Sequence, residues 1–145
     1  MLNFAQRKTI YTAANKRYND NRTEKSVLSG KNIQNENQEV FMKTVVAVIG
    51  CGRIASNAHF PALTQLEDVR IKYACDLIVE KAQAMKDKYP SVEQVITDYH
   101  VALADPEVDA VFVLTPNFAH YTVTMDALRA GKHVMCEKPI TVIYA

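Results

Sequence analysis

The run Thr44-Val-Val-Ala-Val-Ile49, followed at once by Gly50-Cys-Gly-Arg-Ile-Ala55, restricts this chain more than any other feature. An apolar stretch with no polar alternation describes a strand covered on both faces, as at the centre of a parallel sheet. Such a strand cannot reach its neighbour by a hairpin; it needs a crossover, usually a helix. The residues after Ile49 suit that task. Gly50 allows a tight turn out of the strand, Gly52 removes a Cβ so that another group can approach the backbone, and Ala55 lets helix and strand pack closely.

The remainder repeats the pattern. Val69-Arg-Ile-Lys-Tyr-Ala-Cys75 reads as a second strand, and good helix formers follow from about Val79 to Tyr89, where Pro90 stops them. A short strand from Gln94 to Thr97 and a short helix from His100 to Ala104 come next. Asp109-Ala-Val-Phe-Val-Leu114 is another buried strand. After it, Asn117 is placed to cap a helix that ends at Arg129, with Gly131 in the left-handed position. Lys132-His-Val-Met-Cys136 makes a fifth strand. Strands alternating with helices predict an α/β fold, a doubly wound and mostly parallel sheet. Pro61 is expected to break the first helix early or to start a second one, and His59, beside it, has no partner that sequence can name.

The glycine turn matches the GxGxxG/A fingerprint, with alanine in the third place. A helix N-terminus there offers unsatisfied N–H groups and about half a positive charge to a pyrophosphate. Asp76 closes the second strand about 20 residues beyond the turn, the spacing of a ribose contact. Its carboxylate can accept hydrogen bonds from both ribose hydroxyls and repels a 2′-phosphate. Leu77 and Ile78 follow it where an arginine could have received that phosphate, so NAD is expected over NADP. The plainer alternative makes Asp76 a turn residue capping the next helix. Gly50, Cys51, Gly52, Arg53 and Ile54 are the candidate cofactor contacts of the turn. Cys51 there either packs or, with its pKa depressed at the helix N-terminus, reacts.

Composition removes other classes. A chain of 145 residues fits one ordinary domain, and its net charge of +1 gives no field to steer nucleic acid or an anionic membrane surface. No stretch approaches the roughly 18 apolar residues that span a bilayer. Cys51, Cys75 and Cys136 lie far apart without a CxxC pair, which suits a reducing compartment, so a cytoplasmic address is expected. Histidines and cysteines show no ligand spacing, so no metal site is predicted. Residues 1–41 differ from the rest: 7 Lys+Arg against 4 Asp+Glu, seven asparagines and little apolar periodicity. They are read as a disordered extension, with a targeting segment as the alternative.

Val46-Ala-Val-Ile-Gly-Cys-Gly-Arg-Ile-Ala55, Asp76, Thr115-Pro-Asn117 with His120, and Ala130-Gly-Lys-His-Val-Met-Cys-Glu-Lys-Pro139 together resemble the N-terminal domain of the Gfo/Idh/MocA oxidoreductases. The resemblance runs from about Lys43 onward. It implies a Rossmann domain that binds NAD(P) and hydride exchange with a sugar, polyol or inositol-like substrate. It further implies cofactor contacts at Thr115, Pro116, Asn117, His120 and Glu137, and makes Lys138 both a cofactor contact and the catalytic residue. A lysine suits the chemistry: desolvation lowers the pKa of its ammonium, so that the neutral amine can take the proton a carbinol oxygen loses, while the protonated form can donate to a developing alkoxide.

The family's second α/β domain, which forms the other wall of the substrate pocket and commonly the oligomer interface, is not represented before Ala145. The expectation is therefore a cofactor-binding fragment with little activity alone, and a homo-oligomer only where a second domain is present. The alternative is a stand-alone dinucleotide-binding or sensing module that pairs with another chain.

Overall fold

Five parallel strands form one sheet in the computed structural model, which describes residues 43–140; the expectations for residues 1–41 lie outside the described residues. The strands are β1 (Thr44–Ile49), β2 (Val69–Cys75), β3 (Gln94–Ile96), β4 (Ala110–Val113) and β5 (His133–Cys136). Their spatial order is β3-β2-β1-β4-β5. β1 is central because it is the run that water cannot reach: Val46, Ala47 and Val48 have no exposed surface. Burying a valine side chain is worth about 1.5–3 kcal/mol, so β1 anchors the sheet.

From β1 the chain steps outward through β2 and β3, then crosses back to β4 on the other side of β1 and out to β5. The connections diverge at the β1/β4 boundary. In an open parallel sheet this leaves a crevice beyond the carboxyl ends of the strands, where ligands bind.

Four helices cross over: α1 (residues 53–63), α2 (Val79–Lys88), α3 (Tyr99–Ala104) and α4 (Asn117–Arg129). Val111 and Val113 of β4 share one core with Ala102 and Leu103 of α3 and with Val123 and Ala127 of α4. Phe112, between them in the strand, points to the opposite face and meets the His59 ring of α1 edge-on at 6.1 Å. Helices α1 and α4 therefore approach β4 from opposite sides.

Three local features qualify or correct the expectations. Pro61 takes the second of its two expected roles, standing in the first positions of the α-helical stretch Phe60–Leu63, and Ala55–His59 before it forms a π turn, in which Phe60 N–H bonds to the Ala55 carbonyl. The wider turn makes room where the proline ring would otherwise clash with the carbonyl four residues back. Asn117 is the first residue of α4 and not its cap. Pro116, at φ −58° and ψ 148°, is the capping position, and its carbonyl takes the Ala119 N–H at 2.9 Å. Strand β2 runs unbroken over Val69–Cys75, as expected, with a register shift against β1: Val46 faces Ile71 while Ala47 faces Tyr73, so Ile71 and Tyr73 fall on opposite faces of the sheet. Gly131 does take the left-handed conformation, at φ +73°.

Candidate functional site

Every predicted site residue lies at the carboxyl end of a strand or in the segment that follows: Gly50 to Ile54 after β1, Asp76 after β2, Thr115 to Asn117 after β4, and Glu137 and Lys138 after β5. His120 stands one turn into α4. Parallel alignment alone puts these ends on one edge.

Gly50 sits at φ +96°, and a Cβ on it would lie 2.6 Å from the Leu114 carbonyl carbon and oxygen. No other residue fits there. Gly52 differs: a Cβ on it would meet nothing within 4 Å, so the turn is open at that point. The first bond of α1 runs from Ser56 N–H to the Gly52 carbonyl, which leaves the N–H groups of Arg53, Ile54 and Ala55 without an acceptor inside the helix. An open cradle edged by such donors suits a pyrophosphate. Arg53 and Ile54 are exposed on this first turn.

The half-buried Asp76 carboxylate lies against the turn. Its Oδ2 accepts the Cys51 N–H at 2.9 Å and its Oδ1 accepts the Ile78 N–H at 2.9 Å. Each oxygen keeps a second lone pair for a further donor. The bond from Ile78 also makes Asp76 the turn residue that leads into α2, whose capping position, Ile78, makes no side-chain cap bond of its own. The surroundings of the Cys51 thiol oppose the reactive reading. Burial pushes it up to about 12, aided by the negative charge of Asp76, and burial likewise raises Cys75 to about 12. Cys51 packs, with Sγ directed at the Cys75 carbonyl.

On the other side of the β1/β4 boundary, Pro116 and Asn117 are exposed, and Thr115 Oγ1 is buried with no hydrogen-bond partner. His120 is fully buried. Its Nε2 lies 2.8 Å from the Thr115 carbonyl oxygen and its Nδ1 2.7 Å from that of Pro139. The ring thus supports the site from beneath and joins the segment after β4 to the segment after β5.

Glu137 continues the sheet by donating its N–H to the Val113 carbonyl at 3.0 Å. Its Oε1 is 2.8 Å from His59 Nε2 and its Oε2 accepts the Lys138 N–H at 3.1 Å. The bond from His59 is the main reason its carboxyl stays below the usual range. The Lys138–Pro139 peptide is cis. Lys138 itself is exposed, so the desolvation expected around its ammonium is not supplied by the described residues. Sequence reading missed His59 as a member of this edge. Among the described residues no group of His, Cys, Asp and Glu could hold a metal ion, and no helix is long and apolar enough to cross a membrane.

Residues 44–145 match the family model described as the Gfo/Idh/MocA oxidoreductase family, NAD-binding Rossmann fold. The chain belongs to this family. An inositol 2-dehydrogenase/D-chiro-inositol 3-dehydrogenase of Lactiplantibacillus plantarum is 38% identical over 98 residues, which are 67% of this chain and 28% of that protein. Among solved structures, the scyllo-inositol dehydrogenase of Lactobacillus casei, with bound NAD(H) and scyllo-inositol, superposes with a TM-score of 0.63 at 27% identity, over 70% of this chain and 29% of the other. The 3-ketoreductase KijD10 of Actinomadura kijaniata, with NADP and TDP-benzene, gives 0.63 at 33% identity, over 68% and 30%. The chain thus spans about three tenths of the length of these family members. An NAD(P)-binding domain of an oxidoreductase family, with an all-parallel Rossmann sheet, accounts for the fold and for the edge on which the candidate residues meet.

Proposed function

We propose that this chain is the cofactor-binding domain of an NAD-dependent oxidoreductase acting on a small polyhydroxylated substrate, such as an inositol or a sugar. The observation that carries the reading is the Asp76 carboxylate set against the glycine turn by the Cys51 N–H at 2.9 Å. A dinucleotide lying across the crevice would place its pyrophosphate over Gly52 and the first N–H groups of α1, and its adenosine ribose against Asp76. The carboxylate favours two free hydroxyls over a 2′-phosphate, hence NAD over NADP. The nicotinamide half would then run past Thr115, Pro116 and Asn117 toward Glu137 and Lys138.

NAD, when bound, supplies the hydride acceptor. Lys138 is assigned the proton: its amine takes it from the substrate hydroxyl as the carbinol carbon loses hydride, and its ammonium returns it in the reverse direction. That task needs an ammonium shielded from water, and Lys138 is exposed. The residues in hand therefore bind and orient the cofactor, while a second wall has to complete the substrate pocket. Binding without efficient turnover follows for the chain by itself, and oligomer formation is assigned to that second wall too. A cytoplasmic address fits the free thiols.

Calorimetric titration with NAD, paired with an absorbance assay for reduced nicotinamide over a panel of inositols and sugars, tests the reading. Saturable NAD binding with negligible turnover is expected. Absence of NAD binding refutes the domain's role, and rapid turnover refutes the need for a second wall.

A further inference from the structure

Lys138 stands between two residues that are each held by a histidine from a different helix. Behind it, Glu137 is bonded through Oε1 to His59 Nε2 at 2.8 Å, and its other oxygen holds the Lys138 N–H at 3.1 Å. Ahead of it, the Pro139 carbonyl lies 2.7 Å from His120 Nδ1. His59 comes from α1 and His120 from α4, which pack on opposite faces of the sheet.

We propose that His59 is a positioning residue for Lys138, acting through the Glu137 carboxylate to fix the main chain from which the lysine projects. The inference rests on the assignment of Lys138 to the reacting centre made above.

The His59 ring is itself oriented. Its edge contact with Phe112 fixes the ring plane, and its place in the π turn directs Nε2 across the crevice edge to a residue 78 positions later. Both partners are largely shielded, with side-chain exposures of 16% and 26%, so the pair is not an ordinary solvated surface contact. A carboxylate is an acceptor only, so one oxygen can serve His59 while the other serves the Lys138 amide. Removing the imidazole leaves that carboxylate half-buried without its donor, and its easiest remedy is to swing into water, which releases the Lys138 N–H as well. Among the described residues no other hydrogen bond anchors the Lys138 N–H, whereas His120 continues to lie against the Pro139 carbonyl.

The test compares the full chain with His59→Ala and His59→Gln, the second of which keeps an N–H donor for Glu137. Each is acetylated with a succinimidyl ester with and without saturating NAD, and Lys138 modification is followed by mass spectrometry; melting curves and ADP-ribose affinity are recorded in parallel. The expected result is that NAD slows acetylation of Lys138 severalfold in the unaltered chain. His59→Ala should lose this protection while still binding ADP-ribose, and His59→Gln should recover much of it. Equal protection in His59→Ala and the unaltered chain overturns the positioning role alone. So does loss of protection in His59→Ala that follows its melting temperature and is not rescued by His59→Gln. Failure of NAD to bind, or to protect Lys138 in the unaltered chain, overturns the cofactor reading and this inference with it.

Discussion

The main-chain N–H of Cys51 donates to Oδ2 of Asp76 at 2.9 Å, across 25 positions of sequence. The bond joins the two parts of the dinucleotide fingerprint before any ligand arrives. It explains why the glycine turn and the acid occur together: the carboxylate satisfies a donor of the turn while its remaining lone pairs face outward. A ribose that docks there meets an acceptor already in place, and little ordering cost remains to be met on binding.

The two glycines of the turn should separate folding from binding. Gly50→Ala forces a Cβ to within 2.6 Å of the Leu114 carbonyl at φ +96°. It should destabilise the domain by roughly 3 kcal/mol or more, through positive-φ strain and a clash with backbone that cannot yield. At Gly52 the added methyl meets open space. Gly52→Ala should leave denaturant stability within about 0.5 kcal/mol of the original. It should nevertheless weaken NAD about tenfold, which is about 1.4 kcal/mol. Urea unfolding and calorimetry on both variants measure this; equal stability losses would contradict it.

The thiols should divide by burial. Cys51 and Cys75 are buried, with burial raising each to about 12, while Cys136 is only half-buried. At pH 8 the two buried thiols hold thiolate to roughly one part in ten thousand, so iodoacetamide should label Cys136 first and the others only in denaturant. Rapid native labelling of Cys51 would restore the reactive reading of the turn.

Acid should loosen the far side of β2. Burial raises Asp105, but the Lys72 ammonium at 2.6 Å, the Glu107 N–H and the Tyr73 hydroxyl outweigh it and hold the carboxyl at about 2. Its folded pKa is thus depressed below the unfolded value near 3.9. The stability it contributes is fully present above pH 4 and is lost as pH falls toward 2. Asp105→Asn should lower stability at pH 7 and flatten the decline between pH 4 and 2. A decline of unchanged steepness in the variant would exclude Asp105 as its source.

Much of this site could be read from the chain because its signals are local. The unbroken apolar run of β1, the two glycines after it and the acid ending β2 each state their role within a few residues, and the sheet brings them together. What sequence did not disclose depends on long-range geometry. His59 gains its partner only because a π turn ahead of Pro61 redirects the helix and because β5 ends opposite it. His120 looked like a contact at the mouth of the site, yet one turn of helix carries its ring under the surface, where main-chain carbonyl oxygens lie beside both nitrogens. Asn117 gave way to Pro116 at the start of α4 because the proline's fixed φ already sets the entry angle.

The most direct measurement is a pair of calorimetric titrations, NAD and NADP, into the chain and into Asp76→Ser. Tighter binding of NAD by the unaltered chain is expected, with the preference reduced or inverted in the variant as the ribose loses its acceptor and the 2′-phosphate its repulsion. Equal affinity for both cofactors in the unaltered chain, or a ratio that the substitution leaves where it was, would contradict the placement of the adenosine ribose on Asp76.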